Sequence, residues 1–296
     1  MKKDYCKFLA ALLLFGSNGV VASRIALPST EIVFLRTLIG SALLFAIFFA
    51  SRGKFTFTKH KKQFLFLSVS GVAMGASWMF LYEAYQRLGV SLATLAYYCG
   101  PVIVMALAPL LFREKFTRRR LLCFAAILCG IFLINSQSLQ EGKSVWGLFC
   151  GGLSAVMFAC MVIFNKFAKD ITGLENSLLQ LFISFLTVAA FTGCKYGFAV
   201  RLAASDWLPV IFLGLVNTGI GCYLYFSSIG RLPVQTVAIC GYLDPLSAVL
   251  FSVLILRETM SPWQMAGAAL VLGGAVLAED FGKNARPLAE TAGRSC

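Results

Sequence analysis

Charge is scarce in this chain. Asp and Glu together number 13 in 296 residues, charged side chains make up 13% of the total, and histidine occurs once, at His60. No H-E-x-x-H, G-x-S-x-G or phosphate-cradling G-x-x-x-x-G-K-[ST] run is present, so metal-dependent hydrolysis, Ser-His chemistry and ATP-driven pumping have no sequence basis. No cofactor and no catalytic group is implied. The ten cysteines show no metal-ligand spacing, and most fall within apolar runs, so no disulfide framework is expected. Long polar stretches are missing too. The net charge of +13 comes from Lys and Arg in short gaps between apolar runs, which argues against nucleic acid as a partner.

What fills the chain is apolar surface: 59% of the residues are hydrophobic and the mean hydropathy is +0.81. That exceeds what one soluble domain could bury, and the natural partner is a lipid bilayer. Runs long enough to cross about 30 Å of hydrocarbon fall near 8–26, 32–50, 63–83, 91–112, 121–137, 145–164, 176–194, 207–226, 234–256 and 262–279. The expected fold class is an all-α integral membrane protein with ten transmembrane helices. The first run, with Lys2 and Lys3 ahead of it and Val21-Ala22-Ser23 near its end, has the look of a signal peptide. Removing it would break the repeat described next, so it is read as a span.

Sliding the chain against itself by 144 residues superposes Arg87-Leu88-x-Val90 on Arg231-Leu232-x-Val234, Tyr98-x-x-Pro101 on Tyr242-x-x-Pro245, and Arg113-Glu114 on Arg257-Glu258. Between 87 and 133 no gap is needed, and 12 of 47 positions are identical. The same offset pairs Glu31 with Glu175, Arg36 with Gln180 and Gly75 with Gly219. The chain is therefore expected to be a five-helix unit written twice, over 1–137 and 145–279, followed by a cytoplasmic tail, 280–296. Five is odd, so the second unit must enter the membrane from the opposite side, giving two inverted-topology five-helix repeats of the kind common in secondary transporters. Each Arg-Glu pair is expected to stabilise a helix terminus, its Arg favourable at a C-terminal end.

Two such units, Gly16-Ser17-Asn18 in the first span, the Pro-Leu-Leu-Phe-Arg-Glu-Lys run at 109–115 with its Arg-Glu echo, and a Gly-rich closing helix together resemble the EamA family of the drug/metabolite transporter superfamily. The resemblance covers about residues 8–279. It implies a carrier of the bacterial inner membrane, often an exporter of amino acids or other metabolites, with its small-molecule substrate in a central cavity between the repeats.

Polar groups inside hydrocarbon are costly and mark candidate sites. Asp244, expected near the midplane with Pro245 kinking its helix, is read as a proton-titrating carboxylate, as a counter-charge for a substrate ammonium, or as a buried hydrogen-bonded acid. Arg36, about 7.5 Å below the start of its span at 1.5 Å per residue, could hold a carboxylate bidentately, snorkel to the interface, or pair with Glu83. Its repeat partner, Gln180, is neutral, which makes the two sides of the cavity differ in charge. Tyr98 and Tyr242 sit in the duplicated Tyr-x-x-Pro element and suit a substrate's apolar part, with Trp78, Tyr82 and Glu83 as further substrate-binding candidates. A carrier of an amino acid or related zwitterion is the favoured function. A passive channel or lipid scramblase of the same fold remains open at this point, and a membrane-embedded enzyme has the least support.

Nineteen Lys and Arg fall on the side of the termini and of the 51–62 and 113–120 loops, against six on the other side. Both termini should therefore be cytoplasmic. A reporter fused after residue 296 and thiol labelling of a His60→Cys variant should both report the cytoplasm. Labelling of that thiol from outside intact cells would overturn the expected orientation.

Overall fold

A computed structural model describes residues 2–97, 99–100, 144–197, 202–229 and 243–283, together with isolated helical positions between 103 and 133. Every regular element among the described residues is helical. The first span is α1 (Lys2–Gly16) followed by α2 (Asn18–Ala22), offset at Ser17. Next come α3 (Ser29–Ala50), a 3₁₀ turn (Phe57–Lys59), α4 (Lys61–Leu88) and α5 (Val90–Tyr97). The second half carries α6 (Val145–Phe167), α7 (Gly173–Tyr196), α8 (Trp207–Ile211), a π-helical segment (Phe212–Ile220) and α9 (Gly221–Ile229). It closes with α10 (Leu243–Ile255) and α11 (Pro262–Lys283).

Six helical stretches among the described residues are long and apolar enough to cross a membrane: Lys3–Ala22, Ser29–Ala50, Lys61–Leu88, Val145–Phe167, Gly173–Cys194 and Trp207–Tyr225. At 1.5 Å per residue the 22 residues of α3 span about 33 Å, a full hydrocarbon core. The outward faces carry large apolar side chains, with Leu208 79% and Leu254 67% exposed. In water such faces would be a liability; against lipid tails they cost nothing. The chain is an all-α, multi-span membrane protein.

The packing is built on α4. It lies against α6 and α7, while α3 lies against α7 and the π segment. α1 packs on α9 and α10, and α5 on α6 and α10. Lipid tails are as apolar as leucine, so helices in a membrane associate through close approach and interhelical hydrogen bonds. Both occur here. A Cβ at Gly71 would sit 2.8 Å from Ile183, and one at Gly75 would sit 2.9 Å from the Ser184 carbonyl oxygen, so α4 touches α7 through a small-residue seam. On its α6 side, Ser70 Oγ donates to the Met161 carbonyl at 2.7 Å and Ser77 Oγ to the Ser154 carbonyl at 2.8 Å.

One sequence expectation changes: the third span reaches Leu88, where Gly89 at φ +85° ends it, five residues beyond the expected end at 83. Pro245 lies in α10, and Gly241, whose carbonyl its kink was expected to free, lies outside the described residues. The first Arg-Glu pair, Arg113-Glu114, lies outside the described residues. In the second, the glutamate has a role of its own beside the arginine. Arg257, at φ +55°, follows the end of α10 by two residues. Glu258 then reaches back to the first half, where its two oxygens accept from the backbone N–H groups of Val90 (2.7 Å) and Ser91 (2.9 Å). This carboxylate caps α5, and Gly89 is what admits it, since a Cβ there would come within 2.8 Å of Glu258 Oε1. Glu175 makes a matching clasp between the halves, accepting from Thr56 N–H, Thr56 Oγ1–H and Phe57 N–H at 2.6–2.9 Å.

Removing such a cap costs about 0.5–2 kcal/mol. Glu258→Ala should lower the thermal midpoint of the purified protein, and Glu258→Gln, which keeps one acceptor oxygen, should lower it less. An unchanged midpoint in Glu258→Ala would show that the clasp contributes nothing to stability.

Candidate substrate site

Arg36 lies seven residues beyond the first residue of α3, about 10 Å along its axis at 1.5 Å per residue. It is 2% exposed. It neither snorkels nor meets Glu83. Its Nε donates to Thr218 Oγ1 at 2.9 Å and its Nη1 donates to the Tyr82 hydroxyl. The guanidinium carbon lies 4.5 Å from the centre of the Trp78 ring and 5.0 Å from that of Tyr82. α4 supplies both rings because residues four apart share a helix face. Both hydrogen bonds go to neutral hydroxyls, and among the described residues no carboxylate lies within 4 Å of the guanidinium. A guanidinium stays charged in any protein environment, and an unpaired buried charge costs several kcal/mol. Cation–π contact with desolvated rings returns about 2 kcal/mol of that. The remaining N–H groups of the fork have no acceptor among the described residues.

Thr218 is delivered by the π segment. Its hydroxyl donates to the Leu213 carbonyl at 2.8 Å, five residues back, and accepts from Arg36 on its other side. The segment approaches α3 closely because Gly214 and Gly219 leave room for Ile39 and Leu43. One residue earlier, the buried Asn217 uses its Nδ2 to bind the Leu14 carbonyl (2.8 Å), Ser17 Oγ (2.9 Å) and Asn18 Oδ1 (3.1 Å), at the offset between α1 and α2.

Asp244 is partly buried in the first turn of α10. It lies within electrostatic reach of Tyr85, Tyr97 and Tyr225, and Arg36 is within reach of Tyr85 and Tyr97. The cation and the carboxylate thus have two neighbours in common, Tyr85 and Tyr97. Tyr85 escaped sequence reasoning, although its spacing of three from Tyr82 and seven from Trp78 put it on the same helix face. Thr218 escaped it too, because no sequence periodicity announces a π turn.

The remaining predicted residues divide. Glu83 accepts from Ser29 Oγ (2.6 Å) and from Arg87 Nε (3.0 Å) at the end of α4, turned away from the face that carries Tyr82. The supposed Arg36–Glu83 pair is therefore not made, since consecutive helical residues point about 100° apart. Gln180 is buried but lies at a separate place, accepting from Asn165 Nδ2 and approaching Met74 Sδ at 3.5 Å. Tyr98 and Tyr242 lie outside the described residues. Gln180 and Met74 are the positions that the 144-residue offset assigns to Arg36 and Thr218, so the Arg36–Thr218 contact recurs between them. Likewise Gly219 meets Leu43, and Gly75 meets Thr187, the offset equivalent of Leu43.

The EamA-like transporter family model matches residues 3–136 and again 145–279. The chain belongs to this family. It is accordingly a transporter and not an enzyme, and among the described residues no group of three or more His, Cys, Asp or Glu could hold a metal ion. An uncharacterized transporter of Bacillus subtilis (strain 168), YxxF, is 25% identical over 277 residues, 92% of this chain and 88% of that protein. A probable amino-acid metabolite efflux pump of Salmonella typhimurium (strain LT2) is 24% identical over 305 residues, 99% of both chains. One solved crystal structure shares the fold at a TM-score of 0.66 and 19% identity, covering 97% of this chain and 99% of that one.

Thr218→Val keeps the shape of the side chain but leaves the Arg36 Nε–H without an acceptor. Stranding a buried donor costs about 1–3 kcal/mol. The thermal midpoint should fall in Thr218→Val and recover largely in Thr218→Ser. Equal midpoints in all three proteins would remove Thr218 as the holder of Arg36.

Proposed function

We propose that the protein is a secondary transporter of a small zwitterionic metabolite, an amino acid or close relative, working by alternating access. In this reading ten helices form two inverted five-helix repeats in a bacterial inner membrane, with both termini in the cytoplasm and export as the direction. The observation that carries it is Arg36, a buried cation whose fork has unused N–H groups and no carboxylate of the described residues within 4 Å. Planar, in-plane donors match a substrate carboxylate. Asp244, which has Tyr85 and Tyr97 as neighbours in common with Arg36, supplies the complementary charge for a substrate ammonium or exchanges a proton as the site alternates. Trp78 and Tyr82 offer apolar contact beside the charge. Gln180, at the repeat position of Arg36, fills a second, neutral place in the same pseudo-symmetric frame.

Two kinds of support stand behind the repeat. The family model matches the chain twice, and packing contacts recur under the offset: α4 on α7 and the π segment on α3, Arg36 on Thr218 and Gln180 on Met74. The likeness to a probable amino-acid metabolite efflux pump favours the substrate class and the direction.

Transport in proteoliposomes tests the assignment. Arg36→Lys keeps the charge without the planar fork, and Arg36→Gln imitates position 180. Both should reduce amino-acid flux by tenfold or more, since each 1.4 kcal/mol of lost interaction is a factor of about ten. Asp244→Asn should lose pH-driven accumulation while keeping exchange if it carries the proton, and should lose binding as well if it is the counter-charge. Wild-type flux and affinity in all three variants would refute the site. Flux that does not saturate with substrate would point to a pore.

A further inference from the structure

Arg36 presents a question that substrate binding answers only while substrate is bound. Its charge is permanent, it is 2% exposed, and its two hydrogen bonds go to Thr218 and Tyr82, neither of which carries charge in its ordinary form. Among the described residues no carboxylate comes within 4 Å. Asp244 has Tyr85 and Tyr97 as neighbours in common with Arg36 but lies more than 4 Å from its guanidinium. A cation so placed, with N–H donors left over and an aromatic ring 4.5 Å away, is a receptor for any small anion that reaches it.

We infer that the Arg36 guanidinium, held by Thr218 and Tyr82 beside Trp78, binds a small monovalent inorganic anion of the halide class when substrate is absent, and that this ion leaves as the substrate carboxylate enters. This rests on the reading of Arg36 as the carboxylate subsite. It adds a second ligand and an exchange of anions at one position. A halide fits the free N–H groups because it has no directional demands of its own. A single negative charge then neutralises the guanidinium in both the empty and the loaded state, and the buried cation is never left without a counter-ion.

Trp78 provides the probe. It is half-buried beside the guanidinium, whereas Trp146, Trp207 and Trp263 are exposed on the outer faces. In the full-length protein with those three changed to Phe, iodide is titrated against isethionate at constant ionic strength, and Trp78 emission is read. Quenching should rise to a plateau, and added chloride should restore the emission. Arg36→Gln should show only a linear, non-saturating loss. Because that variant could fail to fold, Arg36→Lys is measured beside it and should keep the plateau at several-fold higher iodide. A linear response in the parent, or emission that chloride does not restore, overturns the proposal.

Acetate separates this inference from the carboxylate reading. Acetate that displaces iodide supports both. A plateau that acetate cannot displace supports the inorganic-anion site and refutes the carboxylate subsite. A missing plateau with an acetate-dependent change in Trp78 emission overturns the halide site and leaves the carboxylate subsite standing.

Discussion

One buried guanidinium organises the interior. Arg36 reaches from α3 to a hydroxyl on α4 and a hydroxyl on the π segment, so three elements converge on a single charge. In hydrocarbon the charge cannot be left bare, and among the described residues two rings and two hydroxyls surround it in place of a carboxylate. That choice separates this residue from a structural ion pair. A carboxylate of the chain would have consumed the fork and closed the position to ligand.

The surroundings of Arg36 depend on departures from regular helix. The π segment lets Thr218 bond to the carbonyl five residues before it while facing α3, and the offset at Ser17 gives Asn217 three oxygens to bind. π turns recur at functional sites because an added residue per turn re-aims side chains. Here the polar cluster of Ser17, Asn18 and Asn217 holds the first span against the segment that carries Thr218. The irregular backbone is buried within protein, where its polar groups find partners.

Much of this was legible in the sequence, for a physical reason. The bilayer fixes the length of an apolar run and penalises charge within it, so the long helices, and Asp244, Arg36 and Glu83 as ionisable groups in or near them, stood out from the pattern of apolar runs. Trp78 and Tyr82 were named as candidates and do surround Arg36. Side-chain partners were harder to read. Glu83 was matched to Arg36 by depth, but depth carries no helical phase, and its neighbour Tyr82 faces the arginine in its place. Gln180 was read as the neutral side of one cavity opposite Arg36, and it lies at the offset-equivalent place against Asn165 and Met74. Glu258 caps residues 167 and 168 positions away, a distance that no local pattern could bridge.

The paired contacts, Arg36 with Thr218 and Gln180 with Met74, bear on the resting state of the molecule. On the proposed reading of two inverted repeats, exchanging the two halves turns an inward-open shape into an outward-open one. Identical halves would make those shapes equal in energy, and the carrier would idle with no preferred face. A cation with a hydroxyl in one half, against an amide with a thioether in the other, is one of the differences that break that degeneracy. On that reading, the side from which the empty carrier waits for its cargo is set in part by the chemistry of residues 36 and 180.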